Sequence, residues 1–161
     1  MNPNRVIVAG VDGSEGGRRA LRWAVREAAD HGGTVQAVAV WRWDLPSGGL
    51  DLTAGAEDPR LRAEQLLAQE VADLPPGMPV ASEVLEGRPG ATLAAAARSA
   101  DLLVLGSHGH SRVWHTVLGS VAEECVRSAT CPVVVVPVPQ PAARSPAAPV
   151  MPTAPGRPAD S

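Results

Sequence analysis

Between Leu102 and Pro137 the chain reads LLVLGSHGHSRVWHTVLGSVAEECVRSATCPVVVVP, and this stretch limits the possible folds more than any other. An apolar run, a glycine-punctuated loop, a helical pattern and a second apolar run follow one another without a gap. Val133 to Val136 is four β-branched residues between two prolines, which fits a buried strand. Leu102 to Leu105 is a short apolar run ended by Gly106-Ser107, the pattern of a second strand. The order is therefore strand, loop, helix, strand.

Two residues separate Gly106 from Gly109, and nine separate Gly109 from Gly119-Ser120. Glycine removes the side chain where a ligand has to meet backbone. Gly106 and Gly109 can take positive φ and let N–H groups converge on an anion, with Ser120 as N-cap of the next helix. Taken alone, the same glycines equally well turn the chain, and Ser120 caps a helix and nothing more.

The chain in order supplies the other elements. VIVAG ends at Asp12-Gly13-Ser14, and Ser14 caps a helix whose apolar face is Leu21, Ala24, Val25 and Ala28, stopped at His31-Gly32-Gly33. Gly16 and Gly17 weaken that helix start by about 1 kcal/mol each relative to Ala, so fraying is expected there unless something approaches closely. Thr34 to Val40 alternates as a second strand, and Trp41 to Glu57 reads as a long loop. Asp58-Pro59 opens a second helix with Leu67, Val71 and Leu74 as its stripe, ending before Pro75. Pro79 to Leu85 gives a third strand, and Ala91 to Ala100 an alanine-dense helix. Strands separated by single helices imply right-handed βαβ crossovers. The expected fold class is α/β, a doubly wound five-stranded parallel sheet with helices on both faces.

Composition narrows the function. The 161 residues are 45% hydrophobic, enough for one domain with a core, and no run approaches the ~18 apolar residues of a membrane span. The N-terminus lacks the pattern of a secretory signal, which predicts a cytoplasmic protein. All fourteen basic residues are arginine. The absence of lysine excludes a Schiff-base lysine and a Walker-A lysine. A net charge of −3, no basic stripe and no Phe or Tyr argue against nucleic-acid binding. Cys125 and Cys131 are too few for a disulfide framework or a four-thiolate zinc site and read as small buried thiols. Residues 138–161 are Pro-, Ala- and Ser-rich, which predicts a domain over residues 1–137 and a disordered tail.

In an open α/β sheet a ligand sits at the carboxyl ends of the strands where the connections reverse direction. Asp12 and the glycine loop would share that crevice. An aspartate there either caps its own turn or contacts a ribose hydroxyl or Mg²⁺, and the latter favours a nucleotide over bare phosphate. His108, His110 and His115 have no Cys or carboxylate at ligand spacing within the loop, so they read as groups that tune anion binding as pH falls through ~6.5 and not as a metal site.

GVDGS near the start, GSHG with nine residues before GS, and CPVVVVP at the end resemble the universal stress protein family over residues 5–137. The intact glycine pattern resembles its ATP-binding branch. The resemblance implies a Rossmann-like, adenine nucleotide alpha hydrolase-like domain binding ATP with Mg²⁺. By the same resemblance Asp12 contacts ribose or metal, and Gly10 and Val11 flank the nucleotide. Gly106 and Gly109 line the phosphates, Gly119, Ser120 and Val121 hold their far end, and Val40 and Leu105 pack the adenine. It also implies a homodimer through the last strand, Val133 to Val136, whose apolar edge a monomer would expose. Trp41, Trp43 and Trp114 either cover a base or fill the pocket. The expected function is nucleotide-dependent stress response or signalling through an unknown partner. The alternatives are a nucleotide-free dimeric scaffold and a slow Mg²⁺-dependent ATPase.

Overall fold

The computed structural model describes residues 4–42, 58–110 and 118–139. Expectations for Trp43, Trp114, His115, most of the loop after the second strand and the tail from Gln140 lie outside the described residues. The elements are β1 (Val6–Gly10), α1 (Glu15–His31), β2 (Thr34–Trp41), α2 (Pro59–Ala72), β3 (Val80–Glu86), α3 (Pro89–Ala96), β4 (Leu102–Gly106), α4 (Ser120–Ser128) and β5 (Val133–Val136).

All strand pairs are parallel, in the order β3-β2-β1-β4-β5. Alternation along each strand divides the core into two layers. Ile7 and Ala9 of β1, Val35 and Ala37 of β2, and Leu102 and Val104 of β4 pack with Leu21, Ala24 and Val25 of α1 and Leu67 of α2. Val8, Val38, Leu103 and Leu105 face the other way, toward Leu93 and Ala97 and toward Cys125 of α4. The sheet is thus covered on both faces, which is why its central strands read as continuous apolar runs.

The helix ends follow from local chemistry. The Ser14 hydroxyl accepts from Gly17 N at 3.1 Å and caps α1. Gly32 and Gly33 close α1 at φ 79° and 127°, conformations that disfavour any residue with a Cβ. The Asp58 carboxylate accepts from Arg60 N and Pro59 sits in the first turn of α2.

Three expectations are corrected. α3 starts two residues earlier than its alanine run, because Pro89 is pre-organised for a first helical turn, and it ends at Ala96. α4 is capped by Gly119, with Ser120 its first helical residue. Gly119 N donates to Ser107 O at 2.7 Å, holding Gly119 in extended backbone at φ −70°, ψ 161°. The start of α1 is buried at both Gly16 and Gly17, so close approach and not fraying is their role.

At one sheet edge β5 pairs with β4 alone among the described residues, and Val133, Val134 and Val135 are half-buried. No helix among the described residues is long and apolar enough to cross a membrane.

Candidate functional site

The strand order reverses at β1. From β1 the chain moves through α1 to β2 and β3 on one side, then returns through α3 to β4 on the other. Beyond the carboxyl ends of β1 and β4, neighbouring connections leave on opposite faces, so a crevice opens there. A cleft of about 210 Å³ occupies it.

All ten residues expected at the site line this one cleft: Gly10, Val11 and Asp12 after β1, Val40 on β2, Leu105, Gly106 and Gly109 around the end of β4, and Gly119, Ser120 and Val121 at the start of α4. Sequence reasoning missed Val38, Pro89, Leu93 and Ser107, which also line it. Val38 was recoverable, since it lies two residues before Val40 and shares its face. Pro89 and Leu93 come from α3, whose position depends on the tertiary fold.

The cleft has two chemically different ends. Val38, Val40, Pro89, Leu93 and Leu105 make an apolar end suited to a flat, weakly polar group. Gly10 allows that end to close, because a Cβ there would lie 2.8 Å from Leu105 Cδ2 and 3.1 Å from Leu93 Cδ1. At the other end are Asp12, the Gly106–Gly109 loop and the N-terminus of α4. The N–H groups of Ser120, Val121 and Ala122 are those a helix start leaves without intrahelical acceptors, and Gly119 brings no side chain to cap them. With the positive end of the helix dipole they form a place for an anion.

The glycines act here through space and not through φ. Neither Gly106 nor Gly109 uses the positive φ open to it. A Cβ on Gly106 would lie 2.5 Å from the backbone carbon of Gly16, and one on Gly16 would fall on the carbonyl oxygen of His108. The start of α1 and the end of β4 therefore touch backbone to backbone. A Cβ on Gly109 would sit 2.7 Å from Asp12 Oδ2, so the loop keeps that side of the carboxylate open.

Asp12 caps its own turn and also lines the cleft. Its Oδ1 accepts from Ser14 N at 3.0 Å and from the Ser14 hydroxyl at 2.5 Å, which caps the turn. The exposed carboxylate nevertheless lines the cleft, with Oδ2 toward Gly109. His110 Nε2 lies 2.5 Å from Asp12 O, and His108 Nδ1 lies 3.1 Å from the Ser107 hydroxyl. Both histidines line the cleft. Among the described residues, no group of three or more His, Cys, Asp or Glu is arranged to hold a metal ion.

The apolar wall is steadied from behind by α3 packing on α4. Cys125, fully buried, donates from Sγ to Gly90 O at 3.4 Å. Burial, then the Glu124 carboxylate and Cys131, push its pKa from 9.0 up to about 11. Burial also raises the pKa of Cys131. Both are free thiols, as read from the sequence, though Cys131 is only partly buried.

Comparison with known proteins agrees with this geometry. The universal stress protein family model matches residues 3–137. A universal stress protein of Mycobacterium tuberculosis, Rv2005c, is 34% identical over 138 residues, covering 80% of this chain and 44% of its own length. The chain spans about half the length of the curated relatives it matches. Among solved structures, a universal stress protein in complex with cAMP superposes with a TM-score of 0.61 at 22% identity, over 84% of this chain and 98% of that one. The universal stress protein from Archaeoglobus fulgidus in complex with dAMP gives a TM-score of 0.60 at 25% identity, over 84% and 98%.

Proposed function

The chain belongs to the universal stress protein family, and from that premise we propose that it is an ATP-binding module whose occupancy drives a stress-response or signalling output. The observation that carries this reading is the division of one cleft into an apolar end and an anion-accepting end. The family neighbour in complex with dAMP supports an adenine nucleotide as the ligand class. In this reading Val40, Leu105 and Leu93 enclose the base, and Gly10 and Val11 flank the nucleotide. Gly106, Gly109 and the α4 start from Gly119 to Val121 meet the phosphates. Asp12 contacts ribose, or Mg²⁺ that the phosphate oxygens complete.

The protein binds ATP and is at most a weak hydrolase of it. The polar end offers Asp12 and two histidines but no lysine to neutralise charge developing on a transferred phosphoryl group. The module works as a cytoplasmic homodimer joined along β5, which would pair the free edge of Val133–Val136. Sedimentation at micromolar concentration showing a monomer would remove the dimer from this account.

The test is calorimetric titration with ATP, AMP and cAMP, with and without Mg²⁺, on the parent and on Asp12→Ala and Gly119→Ala. A Cβ on Gly119 would meet Ser107 O at 3.3 Å and His108 Cα at 3.4 Å, a tight but foldable fit that crowds the phosphate end. Asp12→Ala is expected to weaken ATP at least ~10-fold, the scale of one charge-assisted contact. Gly119→Ala should weaken ATP more than it weakens AMP. Absence of nucleotide binding by refolded parent protein would leave a dimeric scaffold in place of a nucleotide module.

A further inference from the structure

Ser107 has no part in that account, yet more of the site's framework converges on it than on any glycine beside it. It is 7% exposed. Its N–H donates to Val136 O at 2.9 Å, extending the β4-β5 ladder, and its carbonyl accepts from Gly119 N, fixing the cap of α4. Its hydroxyl accepts from Val138 N at 3.1 Å and lies 3.1 Å from His108 Nδ1. One residue thus joins the glycine loop, the start of α4 and the chain leaving β5.

The leaving chain is unusual in its own chemistry. Pro137-Val138-Pro139 contains a single backbone N–H, that of Val138, and it is given to Ser107. The carbonyl before it, Pro137 O, accepts from Arg19 Nε on α1 at 3.0 Å. Flanking prolines hold Val138 extended, so fixing this one amide sets the direction in which the chain departs.

We propose that Ser107 is a positioning residue that ties the phosphate-facing loop to the segment leaving β5, so that nucleotide in the cleft tightens the hold on Val138. The inference rests on the cleft being a nucleotide site. A ligand that fixes Gly106, Gly109 and Gly119 fixes Ser107 between them, and the Ser107 hydroxyl passes that restraint to Val138. Coupling is reciprocal, so releasing Val138 must weaken the ligand by the factor with which the ligand secures Val138. The signal emerges beside β5, at the sheet edge where a second chain would pair.

The experiment is a double-mutant cycle on the full chain with Ser107→Ala and Val138→Pro, the second of which removes the donor without touching either core cluster. Each single variant is expected to bind ATP about fivefold more weakly, the lower end of usual coupling factors, and the double variant no more weakly than either. ATP should slow amide exchange at Val138 in the parent and not in Ser107→Ala. Unchanged affinity in both variants, or effects that simply multiply in the double variant, would overturn the proposal. Should Ser107→Ala not fold, Val138→Pro alone decides. If the parent binds no nucleotide, the functional reading fails separately. The tie is then judged without ligand, where Val138→Pro must accelerate exchange of the Gly119 amide on the far side of Ser107. No acceleration there refutes it.

Discussion

Raising the pH from 8 to 11 should destabilise this protein progressively, and almost entirely through its thiols. The chain has neither lysine nor tyrosine. Between the α-amino group, near pH 8, and arginine, above ~12, only cysteine titrates. Folded Cys125 ionises at about 11 against an ordinary 9.0, because its buried thiolate would face Glu124. Between those values the unfolded chain has released a proton that the folded chain still holds. The unfolded state binds fewer protons, so stability falls as pH rises. Two pH units at roughly 1.4 kcal/mol each amount to about 3 kcal/mol once the pH has passed 11, about half of it lost by pH 10. Cys131 adds a loss of the same sign. Against the ~5–15 kcal/mol of a typical domain this is a large fraction. Urea denaturation at half-unit steps from pH 8 to 10.5, followed by tryptophan fluorescence, measures it, since Trp23 packs against the core. Cys125→Ala should start lower in stability and lose with pH only the part that Cys131 contributes. Parallel losses in parent and Cys125→Ala across pH 9–10.5 would refute the assignment.

Two further outcomes test the packing around the cleft. Gly106→Ala should cost about 3 kcal/mol, the upper range for overpacking, because its Cβ meets the Gly16 backbone and not a yielding side chain. An unchanged melting temperature would mean that the two backbones are not in contact. Ser14→Ala should destabilise by about 1 kcal/mol through loss of the α1 cap. It should also weaken ATP by removing the hydroxyl that orients Asp12, and calorimetry on the folded variant separates the two effects.

The sheet was legible because its signals are local. Four valines between prolines gave β5, and the spacing of Leu21, Ala24, Val25 and Ala28 gave the buried face of α1. The site was legible through the glycine spacing together with the family resemblance it carries, and all ten residues so expected line one cleft. What failed depended on distant chain. Helix propensity assigned Gly16 and Gly17 only their local cost, whereas Gly16 meets the end of β4 some ninety residues away and Gly17 leaves room for the Asp12 carboxylate. Ser120 has the chemistry of a cap, yet Ser107 O holds Gly119 in that place. Leu93 and Ser107 were missed because an apolar helix residue and a loop serine give no sign of the partners that surround them.

The meeting of Gly16 with Gly106 limits how such a site can diversify. A contact between side chains can be retuned by degrees, through a methyl gained or a branch moved. A contact between bare backbones has no smaller residue to retreat to and no larger one that fits. Heritable variation in ligand preference is therefore confined to the opposite wall, where Val40, Pro89 and Leu93 offer shapes that can be exchanged one at a time. An engineer seeking a new base specificity would leave the glycine side untouched and build the library there.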